Sequence, residues 1–410
     1  MKSRALPAKV GVTLAAIAVS AAACSSGSSG GGSAATPNAT TSTTSAADAT
    51  ATQASALRSG LDLLFREHVD LTGFVVQTAV ISGVGSTQTA AALKALDDNS
   101  VALADAVGSV YGSTAQAAFL KLWRAHIGFF VDYTKGLATN NAAEVSQAQA
   151  KLANYKKEFS AFLAGATQIP AAAIATELQG HIQTLETAIK AILTKSKSAG
   201  ADLQMAAEHM DGTADALAGG IAKEKNLTGN ADGAASGLRA ALTGLLIQHV
   251  AQTAEVVQSV VATGSLSSPQ SAGAVAALDQ NTVDLGKAIG SLYGASAQQA
   301  FLTMWRAHIG YFVAYTEGVA SNDSAKVKTA ERELAGYQQQ FGAFLGTATG
   351  LPASAVSADL KGHIQTLETA IKAILTKSPT AGAAISMAES HMAGTAAVLA
   401  TAIAAQKHLS

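Results

Sequence analysis

Gly180-His-Ile-Gln-Thr-Leu-Glu-Thr-Ala-Ile-Lys-Ala-Ile-Leu-Thr-Lys-Ser196 recurs without a change as Gly362 to Ser378. With Leu178 just before it, His181, Leu185, Ile189 and Ile192 fall three or four residues apart, so they form one stripe of an α-helix. Outward from this stretch the match continues. Trp123-Arg-Ala-His-Ile-Gly128 is identical to Trp305 to Gly310. The copies are offset by 181 residues at their start and 182 later, because one extra residue sits near Ser265 to Gln270. The chain is an internal duplication of one helical unit.

Alanine dominates, proline is rare, and apolar residues recur at three and four throughout. Breakers divide the first copy into six segments, about 57–82, 87–111, 113–139, 141–165, 170–195 and 197–223. A helix of 25 residues is about 37 Å long. Short connections make neighbouring helices antiparallel. The expected fold is all-α: two tandem up-and-down bundles of about six helices each. The expected divisions are 1–23 signal, 24–55 tether, 56–225 first repeat, 226–237 linker and 238–407 second repeat.

Eight of the nine histidines fall into matching sets: His68, His126, His181, His209 and His249, His308, His363, His391. Each lies near the middle of its segment, and midpoints of an up-and-down bundle share one layer. Asn99 and Tyr155, matched by Asn281 and Tyr337, fall at the middle of the second and fourth segments. The stripe Leu61, Leu64, Phe65, His68, Leu71 and Val75 buries the first histidine; Phe119, Trp123, His126, Phe130 and Tyr133 bury the second. The stripe around His209 is thinner. Four buried imidazoles in one layer need partners for eight ring nitrogens, and a shared metal satisfies several at once.

Imidazole suits copper, zinc, iron and nickel. Met205 and Met387 stand one turn before His209 and His391, and thioether beside imidazole puts copper first and zinc second. The expected ligands are therefore the eight histidines with Met205 and Met387. A di-iron site is disfavoured, since it needs several inward glutamates, while Glu67 is replaced by Gln248 and Asp98 by Gln280. Haem between two axial histidines, lined by Trp123, Phe130 and Tyr133, is an alternative. So is a structural or interaction module whose histidines are hydrogen-bonded in the core. Nucleophile motifs and phosphate-binding glycine loops are absent, so the expected role is binding, buffering or delivery of the metal, and any catalysis would be redox chemistry at that metal.

Lys2, Arg4 and Lys9 precede an apolar run, Val10 to Ala23, that is short for a membrane span. Ala21-Ala22-Ala23-Cys24 resembles the bacterial lipobox, with Ala21 where leucine is usual. The resemblance implies that Cys24 is lipidated and becomes the mature N-terminus. It also implies that the protein is anchored at the outer face of the cell membrane. Cys24 is the only cysteine, so an intramolecular disulfide cannot form. Removing the signal leaves 24 of the 27 basic residues against 28 acidic ones, a net charge of −4. With no basic stripe, nucleic acid is not an expected partner; no protein partner is indicated. The run Leu122 to Gly136 (Leu-Trp-Arg-Ala-His-Ile-Gly-Phe-Phe-Val-Asp-Tyr-Thr-Lys-Gly) resembles helical modules of exported Gram-positive proteins. That resemblance implies an all-α module and an exported location, and it transfers no site residue.

Overall fold

The computed structural model describes residues 49–410, so the signal segment, Cys24 and most of the tether lie outside the described residues. Twelve helices follow one another: α1 (Gln53–Ser82), α2 (Thr87–Tyr111), α3 (Ser113–Ala138), α4 (Ala142–Thr167), α5 (Ala171–Leu193) and α6 (Ala199–Glu224), then α7 (Ala234–Thr263), α8 (Pro269–Tyr293), α9 (Ala295–Ala320), α10 (Ser324–Thr349), α11 (Ala353–Leu375) and α12 (Ala381–Lys407). There is no strand among the described residues, and no helix there is long and apolar enough to cross a membrane.

The helix ends follow from local chemistry. Thr52, Ser86 and Asn141 cap α1, α2 and α4 by accepting a backbone N–H with the side chain. The Thr52 cap starts α1 at Gln53, earlier than apolar periodicity marks, because the first turn is alanine and polar residues. Gly112 and Gly294 sit at positive φ between the second and third helices of each repeat, a conformation glycine adopts without strain. Pro170 and Pro352 precede α5 and α11, where a missing N–H costs nothing.

Each helix packs on its chain neighbours, and α6 returns to α1 as α12 returns to α7, closing two six-helix bundles. Within the first bundle α5 also touches both α1 and α3. The odd-numbered helices run in one direction and converge on the core.

The two repeats dock on each other along α1 and α7. Contacts across the junction are related by a pseudo-two-fold exchange: α6 meets α8, and α12 meets α2. This explains why α1 is buried around its whole circumference, polar residues included. Leu71, Phe74, Ala95 and Leu96 of the first repeat join the core of the second. Equivalent glycines let the helices close in. A Cβ on Gly382 would lie 2.7 Å from the Cβ of Ala95, and one on Gly200 would lie 3.2 Å from the Cα of Ala274.

The junction is also polar. Gln252 donates to Gln204 at 3.0 Å, and Gln270 donates to Gln77 at 3.1 Å. Arg66 of α1 forms a two-point ion pair with Asp211 of α6, while Arg58 pairs with Asp215. Asp62 lies between these arginines on α1, is buried, and has no hydrogen-bond partner for either oxygen. Burial raises its pKa to about 8, with Asp211 and Asp215 adding to the rise and Arg58 and Arg66 opposing it.

Two outcomes follow for stability. Packing across the junction makes the repeats unfold together in one calorimetric transition. Gly382→Leu, which overpacks it by about 1–3 kcal/mol, should lower that transition by several degrees. For Asp62, the raised folded pKa means that the native state binds more protons than the unfolded state between pH 4 and pH 8. Its contribution is complete below pH 4 and is lost as pH rises toward 8. Thermal melts of Asp62→Asn should therefore lose less stability between pH 6.5 and pH 8.5 than melts of the parent chain; an equal loss would contradict this assignment.

Candidate metal centre

His68 sits halfway along α1, His126 halfway along α3 and His181 halfway along α5. Their helices run in parallel and each turns an apolar stripe inward, so the three rings meet in one layer. The ring centroids are 5.3 Å (His68 to His126), 5.8 Å (His68 to His181) and 6.2 Å (His126 to His181) apart. His249, His308 and His363 repeat the arrangement at 5.2, 5.8 and 6.4 Å. In each trio one ligating atom per ring lies within 4.8 Å of the other two, and all six rings are buried. These two groups of three can each hold a metal ion.

The walls around them are aromatic. Trp123 stands edge-on to His126 at 4.5 Å and lies 4.8 Å from His68. Tyr155 stacks on His126 at 4.9 Å, with an interplanar angle of 18°. Phe130 closes the layer 6.1 Å from both His126 and His181. Trp305, Tyr337 and Phe312 do the same in the second repeat. Neither trio includes a carboxylate or thiol among the described residues.

Burial and the neighbouring imidazoles hold His68 far below the ordinary histidine pKa; burial pulls His181 down to about 4 and His308 down to about 3. The rings are thus neutral at neutral pH, the state in which a ring nitrogen can ligate a metal. The Nε2 atoms of His68 and His126 are 3.4 Å apart, as are those of His249 and His308. That is long for a hydrogen bond, whose usual range is about 2.7–3.2 Å. It matches two nitrogens bound about 2.0–2.1 Å from a shared ion, which near-tetrahedral or trigonal angles separate by about 3.3–3.6 Å. Among the described residues His181 and His363 have no partner for either ring nitrogen, and the Trp123 and Trp305 indole N–H groups and the Tyr155 and Tyr337 hydroxyls have none there either. Buried unmet polar groups cost about 1–3 kcal/mol each. An ion on three lone pairs removes part of that cost at once.

The fourth histidine of each expected set is elsewhere. His209 lies on the outer side of α5, where its Nε2–H donates to the Glu177 carbonyl at 2.8 Å; His391 donates to the Asp359 carbonyl at 3.0 Å. Each is partly exposed, and the nitrogen that would ligate is committed to backbone. Gly180 and Gly362 permit this: a Cβ there would lie 2.5 and 2.6 Å from the ring. Met205 and Met387 are 57% and 53% exposed and face solvent, so the expected thioether ligands do not reach the clusters. The four-histidine layer is corrected to three, and the retained fourth ring becomes a clasp between α5 and α6.

Of the polar groups expected in the same layer, Tyr155 is there. Asn99 is turned away, donating to the Leu64 carbonyl and the Glu67 carboxylate at 2.9 and 2.8 Å. Arg124 and Arg306 bind Asp97 and Asp279 in exposed two-point pairs between α2 and α3 and between α8 and α9. Such surface pairs contribute about 0–1 kcal/mol and play no part in the cluster. A porphyrin has no place between two of these histidines, because the third ring lies within 6.4 Å of both. Sequence reasoning missed the clasp, although a mid-helix glycine retained in both copies beside His181 and His363 was its signal.

No family model, curated protein or solved structure matches this chain. His209→Ala should cost about 1 kcal/mol of stability, the worth of one hydrogen bond. Equilibrium dialysis should find the metal stoichiometry of that variant unchanged, whereas loss of an ion from it would return His209 to the ligand set.

Proposed function

We propose that this chain is an exported, membrane-anchored lipoprotein whose two helical repeats each bind one transition-metal ion through three histidines. Copper is the first choice and zinc the second, and the role is to hold, buffer or deliver the metal outside the membrane. The observation that carries the reading is the convergence of neutral, buried imidazole nitrogens twice in one chain, within 4.8 Å of one another. A purely structural role would leave both ring nitrogens of His181 and His363 buried without a partner among the described residues.

Charge supports copper where the methionines no longer do. The trio contributes no negative charge, and burying an uncompensated divalent ion among aromatic rings is costly. Monovalent copper carries half that charge and suits a site of few ligands. Zinc fits three histidines equally well if a fourth ligand, water or hydroxide, completes the tetrahedron. Anchoring rests on the lipobox-like Ala21-Ala22-Ala23-Cys24 and the polar tether behind it.

The full chain expressed with copper, zinc or iron should carry two ions, measured by mass spectrometry of the purified protein. His126→Ala should retain one ion, and His126→Ala with His308→Ala none. Protein that stays metal-free, with a melting temperature unmoved by any of the three metals, would contradict the proposal.

A further inference from the structure

The first repeat holds a cavity of about 160 Å3 that touches the histidine cluster on one side and the surface on the other. Its inner end is formed by His126, His181, Trp123 and Tyr155, and its walls by aliphatic and aromatic side chains of all six helices. It reaches the surface where α5 and α6 carry the exposed Ala173 and Ala216, with Glu177 and Thr213 on the rim. The polar groups at its inner end are nearly fully buried, and the His181 nitrogens and Tyr155 hydroxyl there have no partner.

Chemistry narrows the occupant. A cavity of about 150 Å3 lined by aliphatic and aromatic side chains stays dry and accepts a benzene-sized molecule. No cation lines this one, and Glu177 at its rim repels anions, so a fatty acid or other carboxylate is excluded. The unpartnered His181 and Tyr155 ask for one polar atom at the deep end of an otherwise apolar ligand. The geometry points to a binding site in the first repeat for a neutral, benzene-sized organic molecule bearing one hydroxyl or ring nitrogen, seated against the histidine cluster. The site deepens the metal-binding reading by supplying a second ligand beside the trio. It also stands without the metal, since His181 and Tyr155 can take the polar atom themselves.

The copies differ at this mouth. In the second repeat Thr395 donates to the Asp359 carboxylate at 2.7 Å across α11 and α12, and Val398 replaces Ala216. Asp359 in place of Glu177 makes that bridge, so the two mouths are lined differently, and the site inferred here is that of the first repeat.

Calorimetric titration of phenol and of toluene into the full chain, metal-free and metal-loaded, tests this. The metal-free chain should bind one phenol. Ala216→Trp, which blocks the mouth at an exposed position, should weaken phenol binding at least tenfold; Ala173→Trp does the same from the facing helix should the first variant fold poorly. Tyr155→Phe keeps the ring stack and should weaken phenol about tenfold while leaving toluene unchanged. No binding of either probe to the folded chain, or affinity unchanged in both folded mouth variants, would overturn the site. Metal uptake without phenol binding would sink this inference and spare the metal reading; phenol binding by a chain that takes up no metal would do the reverse.

Discussion

Six neutral imidazoles held in two buried layers are the constraint around which the rest of this structure is arranged. A histidine in water is half protonated near its ordinary pKa of about 6.5. Here burial among Trp123, Phe130 and Tyr155 removes the proton and leaves one ring nitrogen of each histidine within 4.8 Å of the other two. Keeping them there requires three helices running in one direction, which a six-helix up-and-down bundle provides through α1, α3 and α5. It also requires intervening helices that bring no charge inward, and the paired surface ions Arg124–Asp97 and Arg306–Asp279 keep charge outside.

The junction between the repeats holds the opposite chemistry. The histidine layers are symmetric and repeated, whereas the buried carboxylate and arginine group is not: Asp62, Arg66 and Asp211 correspond to Thr243, Ile247 and Ala393 in the second repeat. Between the copies the surfaces that face each other differ in charge, while the three histidines of each cluster and the Trp, Tyr and Phe rings beside them are the same. The pH response of the molecule is accordingly divided. Buried neutral histidines favour folding above their unfolded pKa of about 6.5, and that contribution is lost as pH falls toward 4. Asp62 and Glu255, both raised to about 8 chiefly by burial, act in the other direction as pH rises.

Much of this was legible in the sequence. The exact recurrence of Gly180 to Ser196 and the spacing of apolar residues gave the duplication, the helix count and most helix ends to within a few residues, because caps and glycine turns are local signals. Three of the four histidines in each set lie on thick apolar stripes, and they are the ones that converge. His209 lies on a thin stripe, Leu203, Ala206 and Leu217, which is the pattern of a ring at a helix–helix seam. Mid-height alone could not tell the two apart, because height along a helix does not fix the direction in which a side chain points. Met205 shared a helix with His209 and so shared the error. The docking of the repeats was not legible either: Asp62, Arg66 and Gln77 are polar residues opposite the apolar stripe of α1, and only the fold shows that they are buried at the junction.

The most direct test of the central claim is X-ray absorption at the edge of the metal that copurifies with the full chain. Binding by the histidine trios places about three imidazole nitrogens at about 2.0–2.1 Å around each ion, with any further ligand a light atom and with no sulfur. A sulfur shell, a carboxylate-dominated oxygen shell, or protein that carries no metal to measure would contradict it.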